Sequence, residues 1–160
     1  MKIIVISDTH GSYRALETVF LRVPDADWYI HLGDGERDLD QFILSHNEYT
    51  ERVIHVAGNC DTGSLSPAYF VLPLPGHKLF ATHGHHYGVK GGLSSLINIA
   101  KGHDCDIVLY GHTHIRYNRS EDGVHIMNPG SAGAPHDGNK PSFGLIDISD
   151  AGILLNITDI

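Results

Sequence analysis

The sequence predicts a layered α/β fold with two packed β-sheets, in one domain that covers residues 1–160. Predicted strands alternate with predicted helices early in the chain, whereas predicted hairpins dominate its later part. The apolar share of 41% is ordinary for a globular protein, and 160 residues are enough for a real core. No internal repeat, low-complexity segment or linker divides the chain, so we expect a single domain.

Apolar periodicity defines the elements of the first part of the chain. Ile3 to Ile6 is β-branched throughout and predicts a buried strand. Ser12 to Val23 carries apolar residues at helical spacing, with Ser12 as its expected N-cap. The other elements predicted here are strands at Trp28 to Leu32 and Val53 to Val56 and a helix at Asp38 to His46.

Turn residues separate the strands of the later part into hairpins. The turns are predicted at Pro75-Gly76-His77, Glu121-Asp122-Gly123 and Asp150-Ala151-Gly152. The strands around them are Tyr69 to Leu74, Lys78 to Thr82, Arg116 to Ser120, Val124 to Asn128, Phe143 to Ile148 and Ile153 to Ile157. A helix is predicted at Gly92 to Ala100, followed by a strand at Ile107 to Tyr110.

Composition narrows the classes of function. The formal net charge is -8, with 19 acidic and 11 basic residues, which argues against a protein that binds long nucleic acid. Cys60 and Cys105 form no disulfide framework, so a reduced, cytoplasmic location is expected. No apolar stretch approaches the roughly 20 residues that a membrane crossing needs.

Polar side chains that can bind metals follow five predicted strands. They are Asp8 and His10, Asp34, Asn59, His83, and His112 and His114. Ligands of an open α/β sheet bind beyond the carboxyl ends of its strands, so these side chains are expected at one edge. Imidazole, carboxylate and amide donors suit borderline first-row metals.

Two pairs of these residues share an i, i+2 spacing: Asp8 with His10, and His112 with His114. In extended backbone such side chains point to the same side, so each pair can serve two neighbouring ions or a single one. Asp34 can bridge the ions, which in hydrolytic sites lie about 3.5–4 Å apart. Each residue alone also fits a simpler role, since Asp8 and Asp34 could cap helices, His83 could be packed and Asn59 could form a turn.

The sequence contains 13 histidines, of which only four fall in this ligand pattern. His85 and His86 follow a ligand segment and are expected to line the pocket. The others are interpreted as structural or surface residues: His31, His46, His55, His77, His103, His125 and His136.

The ordered motifs resemble those of the calcineurin-like metallophosphoesterase superfamily. They are Ser7-Asp8-Thr9-His10-Gly11, Gly33-Asp34, Gly58-Asn59-Cys60-Asp61, Thr82-His83-Gly84-His85 and Gly111-His112-Thr113-His114. Asn128-Pro129-Gly130-Ser131 is similar to a later motif of the small prokaryotic branch, the YfcE-like phosphodiesterases. The resemblance runs from Ser7 to Ser131 and therefore covers most of the chain.

This resemblance implies a four-layer α/β/β/α sandwich with two mixed sheets and a phosphodiesterase that hydrolyses a small phosphate ester. It implies two divalent ions, with manganese expected and nickel, iron, zinc or cobalt as alternatives. One ion would be held by Asp8, His10, Asp34 and His114, and the other by Asp34, Asn59, His83 and His112. Catalytic roles are implied for Asp34, Asn59 and His83, substrate contacts are expected from Asn59, Cys60 and Asp61, and a dimer or tetramer is implied.

One position departs from the wider superfamily. Many members have histidine directly after the motif asparagine, whereas Cys60 stands there, followed by Asp61, which we expect to be exposed and ionised. Three other functions compete with a small phosphodiesterase. A scaffold should have lost a ligand, a nuclease should carry a basic groove, and a protein phosphatase should show arginines beyond Arg37.

Overall fold

A computed structural model describes all 160 residues, whose ten strands form two five-stranded sheets. The strands are β1 (Lys2–Ile6), β2 (Trp28–His31), β3 (Val53–His55), β4 (Tyr69–Leu74), β5 (His77–Thr82), β6 (Ile107–Leu109), β7 (Tyr117–Glu121), β8 (Val124–Asn128), β9 (Ser142–Ser149) and β10 (Gly152–Asp159). The α-helices are α1 (Tyr13–Arg22), α2 (Glu36–Ser45) and α3 (Ser94–Gly102). None of the helices has the length and apolar character that crossing a membrane requires.

Both sheets are mixed. The first has the order β10-β9-β1-β2-β3, with β1, β2 and β3 parallel and with β9 and β10 added as antiparallel strands. The second has the order β4-β5-β6-β8-β7, with β5, β6 and β8 parallel and antiparallel strands at both edges. The carboxyl ends of three neighbouring parallel strands therefore lie together in each sheet.

The strand β1 shows why these sheets stack. Its residues Ile3 and Val5 pack against the second sheet, where they meet Leu79 and Leu109. The alternate residue Ile4 belongs to the cluster that packs against the helices on the other face. A strand buried on both faces needs apolar residues on both, as Ile3 to Ile6 provides. Each such side chain stabilises the fold by about 1.5–3 kcal/mol when fully buried.

The helices cover the outer faces of the two sheets. Leu16 and Phe20 of α1 and Phe42 of α2 pack on the first sheet, and Leu96 and Ala100 of α3 pack on the second. The layers are therefore α1 with α2, the first sheet, the second sheet, and α3. This is the four-layer α/β/β/α sandwich that the family resemblance implied.

The ends of two helices differ from the prediction. The helix α2 begins at Glu36 rather than Asp38, because the carboxylate of Asp61 accepts the first N–H groups of this helix. The helix α3 begins at Ser94 rather than Gly92, which has φ +146° and cannot belong to a right-handed helix. Both corrections concern one turn, so the predicted order of elements is unchanged.

Candidate metal centre

The predicted ligands converge at one edge of the sandwich, just beyond the carboxyl ends of five strands. Asp8 and His10 follow β1, Asp34 follows β2, Asn59 follows β3, His83 follows β5, and His112 and His114 follow β6. Hydrogen bonds between segments join these loops: Asp8 N–H donates to Gly33 O at 3.0 Å, and His10 N–H to Asp34 O at 3.1 Å.

The first group of donors consists of Asp8, His10 and His114. His114 Nε2 lies 3.1 Å from Asp8 Oδ1 and 3.2 Å from His10 Nε2. Asp8 is fully buried, and its Oδ1 has no hydrogen-bond partner despite the nearby imidazole. A buried carboxylate oxygen without a partner is costly unless a cation satisfies it.

The second group consists of Asp34, His83 and Asn59. Asp34 Oδ2 lies 3.4 Å from His83 Nε2, and Asn59 Oδ1 lies 3.1 Å from the same nitrogen. The His112 ring stands slightly apart, with its centroid 5.1 Å from that of His83. Asp34 Oδ2 is also 3.6 Å from His10 Nε2, so this carboxylate faces both groups of donors.

Hydrogen bonds on the outer side orient two of the imidazoles. His83 Nδ1 lies 2.7 Å from Leu32 O, and His114 Nδ1 lies 2.7 Å from Ala134 O. A carbonyl can only accept, so in both rings Nδ1–H is the donor and the neutral ring keeps its Nε2 lone pair for the centre. Histidine ligands of metals are held in this way in many proteins.

The electrostatics of the centre favour a positive charge within it. Burial opposes protonation of His83, but a protonated ring would donate to Asp34 through Nε2, and this hydrogen bond and the charge of Asp8 outweigh burial and raise the pKa of His83. Burial would raise the pKa of Asp34, yet hydrogen bonds from protonated His83 and from the Cys60 N–H hold that pKa well below its usual range. Burial beside His83 lowers the pKa of His112 to about 4, which leaves this ring neutral at pH 7.

Five of the candidate ligand residues adopt a left-handed backbone. The φ values are +55° for Asp8, +45° for His10, +57° for Asp34, +65° for His112 and +58° for His114. The prediction that both i, i+2 pairs lie in extended backbone is therefore wrong, and sharp turns aim these side chains instead. Non-glycine residues occupy this region at a cost of about 1–2 kcal/mol each, and such strain clusters at functional sites.

Two glycines allow the carboxylates to approach the backbone. A Cβ atom at Gly58 would stand 2.1 Å from Asp34 Oδ1, and one at Gly111 would stand 2.9 Å from Asp8 Oδ2. Neither position has room for any other residue without a shift of the ligand loop. Gly58 and Gly111 therefore let the two carboxylates lie directly against a neighbouring backbone segment.

The donor set fits a metal ion. Two imidazole nitrogens and a buried carboxylate oxygen without a hydrogen bond converge in the first group, and Asp34 connects it to a second group. Residues 1–151 match the sequence model of the calcineurin-like phosphoesterase superfamily domain. The chain belongs to this superfamily.

Related sequences agree with this membership. The chain is 30% identical to the phosphodiesterase YfcE of Escherichia coli in an alignment 168 residues long. That alignment covers 92% of this chain and 88% of YfcE. It is 28% identical to the probable metallophosphoesterase YsnB of Bacillus subtilis in an alignment 160 residues long. That alignment covers 99% of this chain and 91% of YsnB.

Solved structures of the calcineurin-like fold superpose over nearly the whole chain. A predicted phosphoesterase from Streptococcus pneumoniae matches with a TM-score of 0.84 and 28% identity, covering 99% of this chain and 88% of that one. A mutant of Vps29 from Entamoeba histolytica matches with a TM-score of 0.76 and 23% identity, covering 100% and 99% of the two chains. This second likeness shows the fold alone.

An open groove of about 370 Å³ borders the centre, and its wall consists almost entirely of polar residues and glycine. His10 and Asp34 form part of its wall, together with the exposed Cys60. Burial and the neighbouring Asp34 raise the pKa of the Cys60 thiol to about 11, so it is neutral at pH 7. Arg37 is the only lysine or arginine of the wall and gives the groove one fixed positive charge.

Asp61 does not have the exposure expected from the sequence. Its side chain is only 5% exposed, and its two oxygens accept hydrogen bonds from four backbone N–H groups. A carboxylate with this many backbone donors has little remaining capacity for a substrate. The expectation of an exposed Asp61 is therefore wrong, although the residue is ionised, because these hydrogen bonds outweigh its burial and lower its pKa.

Sequence reasoning missed the residues that hold the first ligand loop. Asp38 Oδ2 accepts hydrogen bonds from Thr9 Oγ1 at 2.5 Å and from Gly11 N–H at 2.9 Å. Ser131 Oγ donates to Asp8 O at 2.7 Å. The available signal for Asp38 was its place among apolar residues on the inner face of α2, where a carboxylate needs a specific partner.

Further histidines surround the candidate metal centre. The ring of His136, interpreted as a surface or structural residue, stacks on His114 with centroids 4.3 Å apart. The His85 ring lies 5.3 Å from His83, and His86 packs on His85 at 3.9 Å. The sequence therefore placed His85 correctly beside the centre but gave no signal for His136.

Proposed function

We propose that this chain is a phosphodiesterase that uses two divalent metal ions to hydrolyse a small phosphate ester. The position of Asp34 Oδ2 carries the proposal, since it lies 3.6 Å from His10 Nε2 and 3.4 Å from His83 Nε2. One carboxylate oxygen thus faces both donor groups, as a ligand shared by two ions must.

We assign six of the donors to one ion each and Asp34 to both. Asp8, His10, Asp34 and His114 would hold the first ion, and Asp34, Asn59, His83 and His112 would hold the second. When bound, two such ions activate water for in-line attack on phosphorus and neutralise charge on the phosphoryl oxygens. We expect manganese, while nickel, iron, zinc and cobalt suit the same kinds of ligand.

The side chains of the centre hold and orient these groups. Asp34 is ionised at neutral pH and faces both donor groups, while the hydrogen bond from His83 Nδ1 to Leu32 O fixes the direction of that imidazole. Asn59 turns Oδ1 toward His83 and places Nδ2 3.3 Å from Cys60 Sγ, at the edge of the groove. Substrate contacts are therefore assigned to Asn59 and Cys60, and no longer to Asp61.

The complete donor set supports an enzyme over a scaffold with a vestigial centre. A protein that no longer binds metal has no reason to keep a buried oxygen such as Asp8 Oδ1 without a hydrogen bond, since the cost is about 1–3 kcal/mol. Retention of five left-handed ligand residues adds to that cost.

A substrate panel with controlled metal content tests the proposal. The metal-stripped protein is assayed on phosphomonoesters and phosphodiesters, each with Mn²⁺, Ni²⁺, Fe²⁺, Zn²⁺ or Co²⁺ added. We expect no hydrolysis without metal and the highest rates on diesters with manganese. Equal rates with and without a chelator would overturn the metal dependence, and a strong preference for monoesters would overturn the assignment as a diesterase.

A further inference from the structure

Asp61 connects two ligand loops through backbone hydrogen bonds. Its Oδ2 accepts from Asp34 N–H at 2.7 Å and from Gly58 N–H at 2.8 Å. Its Oδ1 accepts from Gly35 and Glu36 N–H groups, each at 3.0 Å. One buried carboxylate thus accepts hydrogen bonds from the turn after β2, from the start of α2 and from the turn after β3.

The connection runs in both directions. Asp34 Oδ1 accepts a hydrogen bond from Cys60 N–H at 2.7 Å, while Asp61 accepts from the Asp34 N–H. The loop that carries Asp34 and the loop that carries Asn59 therefore hold each other through two carboxylates. Gly58 lies between them, where a Cβ atom would overlap Asp34 Oδ1.

Asp61 also compensates for two local costs of this arrangement. Asp34 has a φ of +57°, which a non-glycine residue keeps only when its surroundings hold it. The N-cap of α2 is Gly35, which has no side chain to accept the free N–H groups of the first turn. An anionic acceptor at a helix N-terminus is stabilised by the helix dipole, so the position suits an ionised Asp61.

We propose that Asp61 is a positioning residue that holds the shared ligand Asp34 in its strained conformation and so sets the affinity of the centre for metal. The proposal rests on the dinuclear centre described under Proposed function. It predicts that Asp61 acts without contact to metal or substrate, through the backbone of residues 34–36 and 58.

The variant Asp61→Asn tests this role with little change in volume. The amide has one acceptor oxygen, and its NH₂ group would face N–H donors, so two of the four backbone groups lose their acceptor. Loss of residues that orient metal ligands typically weakens metal binding about 10–100-fold. We expect a loss of that size for Mn²⁺, with partial recovery in Asp61→Glu, which restores both oxygens on a longer side chain.

Asp106→Asn is the matched control. This carboxylate also accepts a backbone N–H, from Lys78 at 2.9 Å, and a hydrogen bond from His77 Nδ1 at 2.6 Å. It lies before the start of β6, whereas the ligands follow that strand's carboxyl end. Its loss should lower stability without changing metal affinity.

The experiment measures Mn²⁺ binding by calorimetry, the visible absorption spectrum of the Co²⁺ form, and thermal unfolding of the metal-free proteins. A 10–100-fold weaker binding and an altered cobalt spectrum in Asp61→Asn alone, with hydrolysis recovered at excess Mn²⁺, is the expected result. Wild-type affinity in Asp61→Asn, or an equal loss in Asp106→Asn, would overturn the proposal.

Failure of both Asp61 variants to fold would overturn it as well, since the carboxylate would then support the whole fold rather than one ligand. The wild-type protein separates this proposal from the function on which it rests. A wild type that binds no metal contradicts the dinuclear centre itself, whatever the Asp61 variants do.

Discussion

The carboxylate of Asp34 faces both donor groups, so its loss should affect both ions. We predict that Asp34→Ala lowers kcat/KM by more than the roughly 100-fold that marks the upper range for residues that only orient ligands. His83→Ala removes a donor from one group and should be partly rescued by excess metal. Metal content and rates of both variants across a Mn²⁺ series check this. Near wild-type metal content and rate in Asp34→Ala would contradict it.

Cys60 stands where many superfamily members have a histidine that can assist the leaving group. With a pKa of about 11 the thiol is neutral, but it is a weak hydrogen-bond donor, so it offers little general acid catalysis. Since a general acid contributes about 10²–10⁴-fold, rates should fall steeply across aryl phosphodiesters of rising leaving-group pKa. In Cys60→His the dependence should flatten. Equal wild-type rates across the series, with chemistry rate-limiting, would place a general acid elsewhere.

At the residue scale, side-chain chemistry and position after a strand were enough to predict where the seven candidate donors gather. The role of Asp61 could not be predicted in this way, because it depends on backbone N–H groups as far as 27 residues away. The left-handed backbone of His10 and Asp34 was not predicted either, since non-glycine residues adopt positive φ in only a few per cent of cases.

At the scale of the elements, the loops after β2 and β3 approach each other so closely that residue 58 has space only for a glycine. An added Cβ would lie 2.1 Å from Asp34 Oδ1 and 2.4 Å from Asp34 N, so the loops must separate. We predict that Gly58→Ala destabilises the fold by about 1–3 kcal/mol and weakens metal binding. Gly102→Ala is the control, because nothing lies within 4 Å of its Cβ position. Calorimetric metal binding and urea unfolding compare them, and equal metal affinity in both variants would contradict the prediction.

The elements themselves were largely predictable, because most strands carry their own apolar pattern and each hairpin has its own turn residues. The start of α2 was not, because its cap is the carboxylate of Asp61 in another loop rather than a residue at the helix end. The pairing of β9 with β1 also lacked a signal, since it joins segments from opposite ends of the chain. The order of helices and strands along the chain predicted two packed sheets, whereas the order of strands within each sheet is known only from the structure.

At the scale of the whole molecule, a buried histidine should make stability depend on pH. Burial and the neighbouring His55 lower the pKa of His31 from 6.5 to about 3. Between these values the unfolded chain binds a proton that the folded protein does not, so stability falls as pH falls below about 6.5 and is unaffected above it. The slope is about 1.4 kcal/mol per pH unit.

His31→Asn should remove this dependence, because an asparagine side chain does not titrate. Its amide oxygen can replace Nδ1 as the acceptor of the Gly33 N–H. Urea unfolding of both proteins at pH 7, 6 and 5, with a chelator present, gives the difference directly. We expect the difference in free energy of unfolding between the wild type and His31→Asn to narrow as pH falls. A constant gap would mean that His31 titrates alike in the folded and unfolded states.

The proposed function requires two ions, held together by the seven donors of one chain. Titration of the metal-stripped protein with Mn²⁺, while hydrolysis of an aryl phosphodiester is followed, counts the ions that the reaction needs. We expect no hydrolysis without metal and a rate that reaches its maximum at two equivalents per chain, with Asp34→Ala inactive throughout. Full activity of the metal-free protein, or a maximum at one equivalent, would contradict it.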